Sequence, residues 1–144
     1  IAYELRVTDM LYESSGAQMS LPAAEGAYCA AREDRFWDYY HAALDHIFED
    51  YYYKGYGYSK TAPAIEGMTH DYWYKIGKEI GLGDSFKACF EGSESVPTVQ
   101  ANTYKASAQA AGLPYFVFGK FSTSGFDPSW EWDTGKTMHN QGLK

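Results

Sequence analysis

The stretch from Ala110 to Phe121, Ala-Ala-Gly-Leu-Pro-Tyr-Phe-Val-Phe-Gly-Lys-Phe, sets the narrowest limits on what this chain can fold into. A helix-compatible run rich in Ala and Gln, from Asn102 to Ala111, stops at Gly112, a residue able to take the left-handed conformation that ends a helix. Pro114 fixes its own φ and drives Leu113 into an extended geometry, after which an aromatic, β-branched run closes at Gly119. The local reading is helix, stop, strand, turn. A proline directly before a buried strand is also one of the few contexts in which a cis peptide is tolerated.

With 144 residues the chain is long enough for one domain with a real core, and nothing in it suggests two. A formal charge of -7 argues against nucleic acid as a partner, because phosphate binding needs clustered Lys and Arg. No run of about 18 apolar residues occurs, so no segment of this sequence is expected to span a membrane. Neither an initiator methionine nor a signal peptide precedes Ile1, as expected of a mature, trimmed or partly read product. The 14 Tyr and 4 Trp read as an aromatic core with amphipathic rings at its margins, since they show no repeated spacing that would suit a carbohydrate platform.

In chain order, Ile1 to Val7 alternates Ile1, Tyr3, Leu5 and Val7 against Ala2, Glu4 and Arg6, the period of a strand with one buried face. From Leu21 to Phe48 runs the longest helical signal, with Ser20 as N-cap, Pro22 in the first turn and Gly26 permitting close approach of a neighbour. Within it Ala27, Ala30, Ala31, Phe36, Trp37, Tyr40, Ala43, Leu44, Ile47 and Phe48 recur at spacings of three and four, which predicts one core face. The Tyr-rich segment Glu49 to Gly67 reads as a packed loop. A further helix is expected from the N-cap Thr69 to Gly81, with Pro97 separating a short helix near Phe86 from a last one over Val99 to Ala111.

Three of these segments carry a resemblance. Gly112-Leu113-Pro114, the aromatic strand and Gly119-Lys120 are similar to the cis-proline strand of thioredoxin-like proteins, and more narrowly of DsbA-like thiol-disulfide oxidoreductases. The string Ala-Tyr-Cys-Ala-Ala-Arg-Glu-Asp-Arg-Phe-Trp-Asp-Tyr-Tyr-His-Ala-Ala-Leu, from Ala27 to Leu44, resembles the helical signature of that family and is the most specific match. Gly81 to Phe90 resembles the step that leads into its short helix carrying Phe and Cys. The resemblance implies an α/β fold, a thioredoxin-like (DsbA-like) sheet with an inserted helical layer over about residues 15–111, in a single domain spanning 1–144. In it Ile1 to Val7 stands for the strand after the redox helix, and Leu113 and Pro114 for the substrate-binding edge that aligns a substrate strand through backbone hydrogen bonds. Beyond Phe121 the expected final helix has little counterpart in the Gly, Asn and Gln residues that lead to Lys144.

Exchange chemistry in this family works through a Cys-x-x-Cys at a helix N-terminus, where the first thiol's pKa is lowered and the thiolate attacks. Here there are two cysteines, Cys29 and Cys89, 60 positions apart, and neither can belong to such a motif. The family order places the motif upstream of Ile1, so the expected sheet is N-terminally incomplete, with a gap in its middle. Cys29 and Cys89 fall where some DsbA-like proteins carry a second, non-catalytic pair, which implies a structural disulfide; two free buried thiols are the alternative.

The implied function is thiol-disulfide exchange on extracytoplasmic protein substrates, with protein thiols or disulfides and a redox partner protein as partners and no cofactor. The competing reading is a redox-inactive domain that binds or scaffolds a partner. Either belongs to the periplasm, a cell surface or the secreted space, free or anchored through a segment upstream. His41 and Asp45 share a helix face with His46 adjacent, but a helix surface explains them without a metal. No Ser-His-Asp order, phosphate loop or dinucleotide fingerprint occurs.

Overall fold

A computed structural model describes residues 4–9, 19–55, 68–109, 115–118 and 121–124, which divide between Thr103 and Tyr104 into two compact units. The first unit is built of helices: α1 (Ser20–Ala31), α2 (Phe36–Ile47), a single π-helical turn (Phe48–Tyr52), α3 (His70–Glu79), α4 (Asp84–Glu91) and the start of α5 (Val96–Gln109). In the second unit β1 (Tyr115–Phe118) pairs antiparallel with β2 (Phe121–Ser124), Tyr115 opposite Ser124 and Phe118 opposite Phe121.

The expected α/β fold is therefore corrected. The described residues are predominantly helical, and β1 and β2 pair only with each other, so no thioredoxin-like sheet with an inserted helical layer is formed among them. The alternation at Ile1 to Val7 does not yield a strand over its described part: residues 4–9 have no regular structure. Alternation says which side chains share a face, but a strand also needs a partner for its backbone groups. Here α5 supplies that partner through side chains. The Asp9 N–H donates to Thr103 Oγ1 at 2.9 Å, and Asn102 Nδ2 donates to the Val7 carbonyl at 3.5 Å.

Helix α1 is the centre of the first unit and packs against α2, α3 and α4. Its small residues explain this: Ala24, Gly26, Ala27, Cys29 and Ala30 are all buried, so neighbouring backbones come close. A Cβ at Gly26 would overlap the Tyr39 hydroxyl, which itself donates to the Trp73 carbonyl at 3.0 Å. Around this contact lie Ala43, Met68, Trp73, Ile76, Leu82, Phe86, Cys89 and Phe90, the apolar core. The single long helix expected from Leu21 to Phe48 is divided in two, because Asp34 takes a positive φ of 57° in the polar step between α1 and α2. Pro97 lies in the first turn of α5, where its missing N–H costs little, and so begins a helix that was expected to start after it.

That polar step ties three helices together. Glu33 accepts from the backbone N–H groups of Gly83 and Phe86 at 2.9 and 2.8 Å, capping the N-terminus of α4 from 50 residues away. Arg35 donates to the Ile80 carbonyl at 3.1 Å, at the C-terminal end of α3, and Arg32 pairs with Glu94 at 2.7 Å. A carboxylate at a helix N-terminus and a guanidinium at a C-terminus both suit the helix dipole. The two backbone donors hold the Glu33 carboxyl below its ordinary range, first Gly83, then Phe86. A carboxyl depressed in the folded state contributes stability above its unfolded value and loses it as pH falls through the folded one. Glu33→Gln is expected to lower the urea midpoint modestly at pH 7 and to reduce the loss of stability on acidification, with equal midpoints at pH 3 and 7 relative to wild type as the contrary result.

Candidate functional site

The two cysteines of the sequence are joined. Cys29 of α1 and Cys89 of α4 form a disulfide with their Cα atoms 5.6 Å apart, and both residues are 0% exposed. The helices set this up locally: Cys29 lies among the small residues of α1, while Cys89 follows Phe86 and precedes Phe90 on the inner face of α4. Ser95 packs beside it, its Oγ 3.7 Å from Cys29 Sγ and 3.4 Å from the Glu25 carbonyl to which it donates. Exchange requires a thiolate to reach a sulfur, so a bond sealed in the core acts as a staple and not as the reacting pair.

Close to the staple is a buried acid. Glu25 is 3% exposed, one turn before Cys29 on α1, and its Oε1 has no hydrogen-bond partner. Trp73 Nε1, in the same core, has none either. Burial pushes the Glu25 carboxyl above the ordinary range, opposed by the charge of His70 and a hydrogen bond from Ser93. Ser93 has a positive φ of 50°, and the His70 ring lies against Phe90 with centroids 4.2 Å apart.

Because the folded value is raised, the neutral form is favoured: its contribution is complete below the unfolded value and is lost as pH rises through the folded one. Glu25→Gln is expected to raise the urea midpoint at pH 8 relative to wild type and to gain less at pH 4, where the acid is neutral in both states. A loss at pH 8 would contradict this account of the acid. Sequence inspection missed Glu25, although a lone carboxylate inside Pro-Ala-Ala-Glu-Gly-Ala-Tyr-Cys was the available signal.

The other candidate residues are not brought together. Leu113 and Pro114, the expected substrate-binding edge, lie outside the described residues. His41 is exposed on α2, its ring against those of Trp37 and Tyr40. His46 instead faces α3, Nε2 2.9 Å from Glu79 Oε2, with its Nδ1 4.0 Å from Asp50 of the π turn. Asp50 also accepts from Lys54 at 2.9 Å and from Tyr72 at 2.8 Å. Among the described residues no group of three His, Cys, Asp or Glu could hold a metal ion, and no helix is long and apolar enough to cross a membrane.

Comparison of the chain with protein-family models, with curated proteins and with solved structures gives no match. The helical unit thus presents a buried staple, a buried acid beside it and an outer surface rich in aromatic rings.

Proposed function

We propose that this chain is part of an extracytoplasmic protein of DsbA-like kind that carries out thiol-disulfide exchange on protein substrates, with the exchanging cysteines lying outside these 144 residues. One observation carries the reading. Two of the three stretches that resemble the family, Ala27 to Leu44 and Gly81 to Phe90, are ones that α1, α2 and α4 pack together, and Cys29–Cys89 joins them covalently. A buried disulfide also fits an oxidising compartment. In the exchange itself a thiolate of one protein attacks a sulfur of the other's disulfide. A mixed S–S bond forms as the old one breaks, and a second thiolate resolves it, moving two electrons from dithiol to disulfide. The described helices serve as the rigid part of such a protein, not as its reacting centre.

A specific observation favours the second reading, a redox-inactive binding domain: both cysteines of this sequence are consumed by the staple. One experiment separates the two. The natural protein is purified, its N-terminus sequenced, its cysteines counted by alkylation after reduction, and its ability to speed the reduction of insulin by glutathione measured. Two further alkylatable cysteines and accelerated reduction are expected; two cysteines in total and no acceleration would leave the binding domain.

A further inference from the structure

The outer face of α2 and the π turn is largely apolar, and none of the described residues of the first unit covers it. Trp37, His41, Leu44 and Phe48 recur at spacings of four, three and four, the interval that keeps side chains on one seam between two helices. Trp37 is 54% exposed and Phe48 47%, with His41 exposed and Leu44 half-buried between them. Tyr52 continues the stripe, its ring 5.3 Å from that of Phe48. Tyr53 adjoins it, 81% exposed, with its ring 6.2 Å from Phe48.

A row of acids runs beside the stripe. Asp38, Asp45 and Glu49 are all exposed and follow Trp37, Leu44 and Phe48 by one position each, which places them along one flank. Asp38 is paired with Arg35, whereas Asp45 and Glu49 have no ion pair among the described residues. The opposite flank holds Tyr40 and Ile47, both half-buried, so the negative charge lies on one side alone.

We infer that this face docks an amphipathic helix of a partner protein, one with an apolar seam and Lys or Arg on the flank that meets Asp45 and Glu49. Charge complementarity selects that occupant. An apolar seam supplies affinity, and the flanking charges choose the partner and its orientation. A second copy of this chain is the wrong partner, because its α2 offers Tyr40 and Ile47 or further acids to the row, and the cations at the ends of this face, Arg35 and Lys54, are paired with Asp38 and Asp50. The net charge of -7 steers the encounter with a cationic helix as well. This inference does not depend on the exchange reading, since it concerns the surface and not the thiols.

The test uses the full chain and two synthetic helical peptides of about three heptads, both with Leu along the seam, one flanked by Lys and the other by Glu. Binding is followed by calorimetry at two salt concentrations. The Lys peptide is expected to bind, to weaken as salt rises, and to lose about tenfold in affinity with Trp37→Ala and with Asp45→Lys/Glu49→Lys. A charge-matched control, Asp71→Lys/Glu91→Lys, changes exposed residues of α3 and α4 and is expected to keep affinity within about twofold. Circular dichroism confirms that each variant is folded; a variant that is not is replaced by Phe48→Ser. Equal binding of both peptides, no binding of the Lys peptide, an equal loss in the charge-matched control, or a concentration-dependent dimer that Trp37→Ala abolishes would each overturn the inference.

Discussion

Replacing both Cys29 and Cys89 by alanine is expected to lower the stability of the protein by about 4 kcal/mol. The bond closes a loop of 60 positions, and in the chain-entropy model such a cross-link removes the freedom of the loop's ends to move apart in the unfolded chain. The native state adds to the effect. Both sulfurs lie in the core among Ala30, Trp73, Phe86 and Phe90, so the double variant also trades packed sulfur for void. The effect should appear as a lower urea midpoint, and wild type treated with a reductant in urea should refold with a lowered stability that stays above that of the double variant, because its thiols still fill the core. Because the bond joins α1 to α4, its loss should loosen the contact between these helices before it reaches the α2–α3 packing. Amide exchange in Ala27–Ala31 and Ala88–Glu91 would rise first. An unchanged midpoint would mean that the cysteines contribute neither a cross-link nor packing.

The second large effect belongs to Phe86. Phe86→Ala is expected to cost about 3–5 kcal/mol, the range for a large aromatic truncated in a core that cannot collapse. Its ring is 0% exposed and lies with centroids 5.8 Å from Tyr39, 5.9 Å from Tyr74 and 5.5 Å from Phe90, so it joins α2, α3 and α4 at one point. The fourth contact is with a backbone. A Cβ at Gly77 of α3 would overlap the Phe86 ring, and Gly77→Ala is expected to cost about 1–3 kcal/mol for that reason. In the Phe86→Ala background the clash is gone. The same Gly77→Ala should then be neutral or gain up to about 1 kcal/mol from helix propensity. A double-mutant cycle from urea unfolding measures the coupling, and simple additivity would contradict this packing.

How much of this was legible in the chain depended on what each feature needs. A helix face needs only its own residues, and so the spacing of Tyr72, Trp73, Ile76 and Ile80 with Gly81 after them located α3, whose C-terminal glycine has a φ of 79°. Gly26 was likewise readable as a point of close approach, and Tyr39 is what approaches it. The break at Arg32–Arg35 was not readable, because hydrophobic spacing continues across it and the turn is held by partners far away in sequence, Gly83, Phe86 and Ile80 among them.

The sheet failed for a related reason. Leu5 and Val7 alternate with Glu4 and Arg6 as a strand would, but alternation carries no information about the neighbour a strand must pair with, and only the resemblance supplies one. In the structure the Asp9 N–H and the Val7 carbonyl are satisfied by Thr103 and Asn102 instead. The buried Glu25 escaped notice because its burial depends on α1 being enclosed by three helices, a tertiary fact.

Helices α1 and α4 are stapled through Cys29 and Cys89 into one helical unit. The most direct test of this staple is a peptide map of the folded protein, alkylated before any reduction, then digested and analysed by mass. The account predicts one disulfide-linked pair of peptides, containing Cys29 and Cys89, and no alkylation of either in the native state. Alkylation of both cysteines without reductant would contradict it, and would remove the observation on which the proposed function rests.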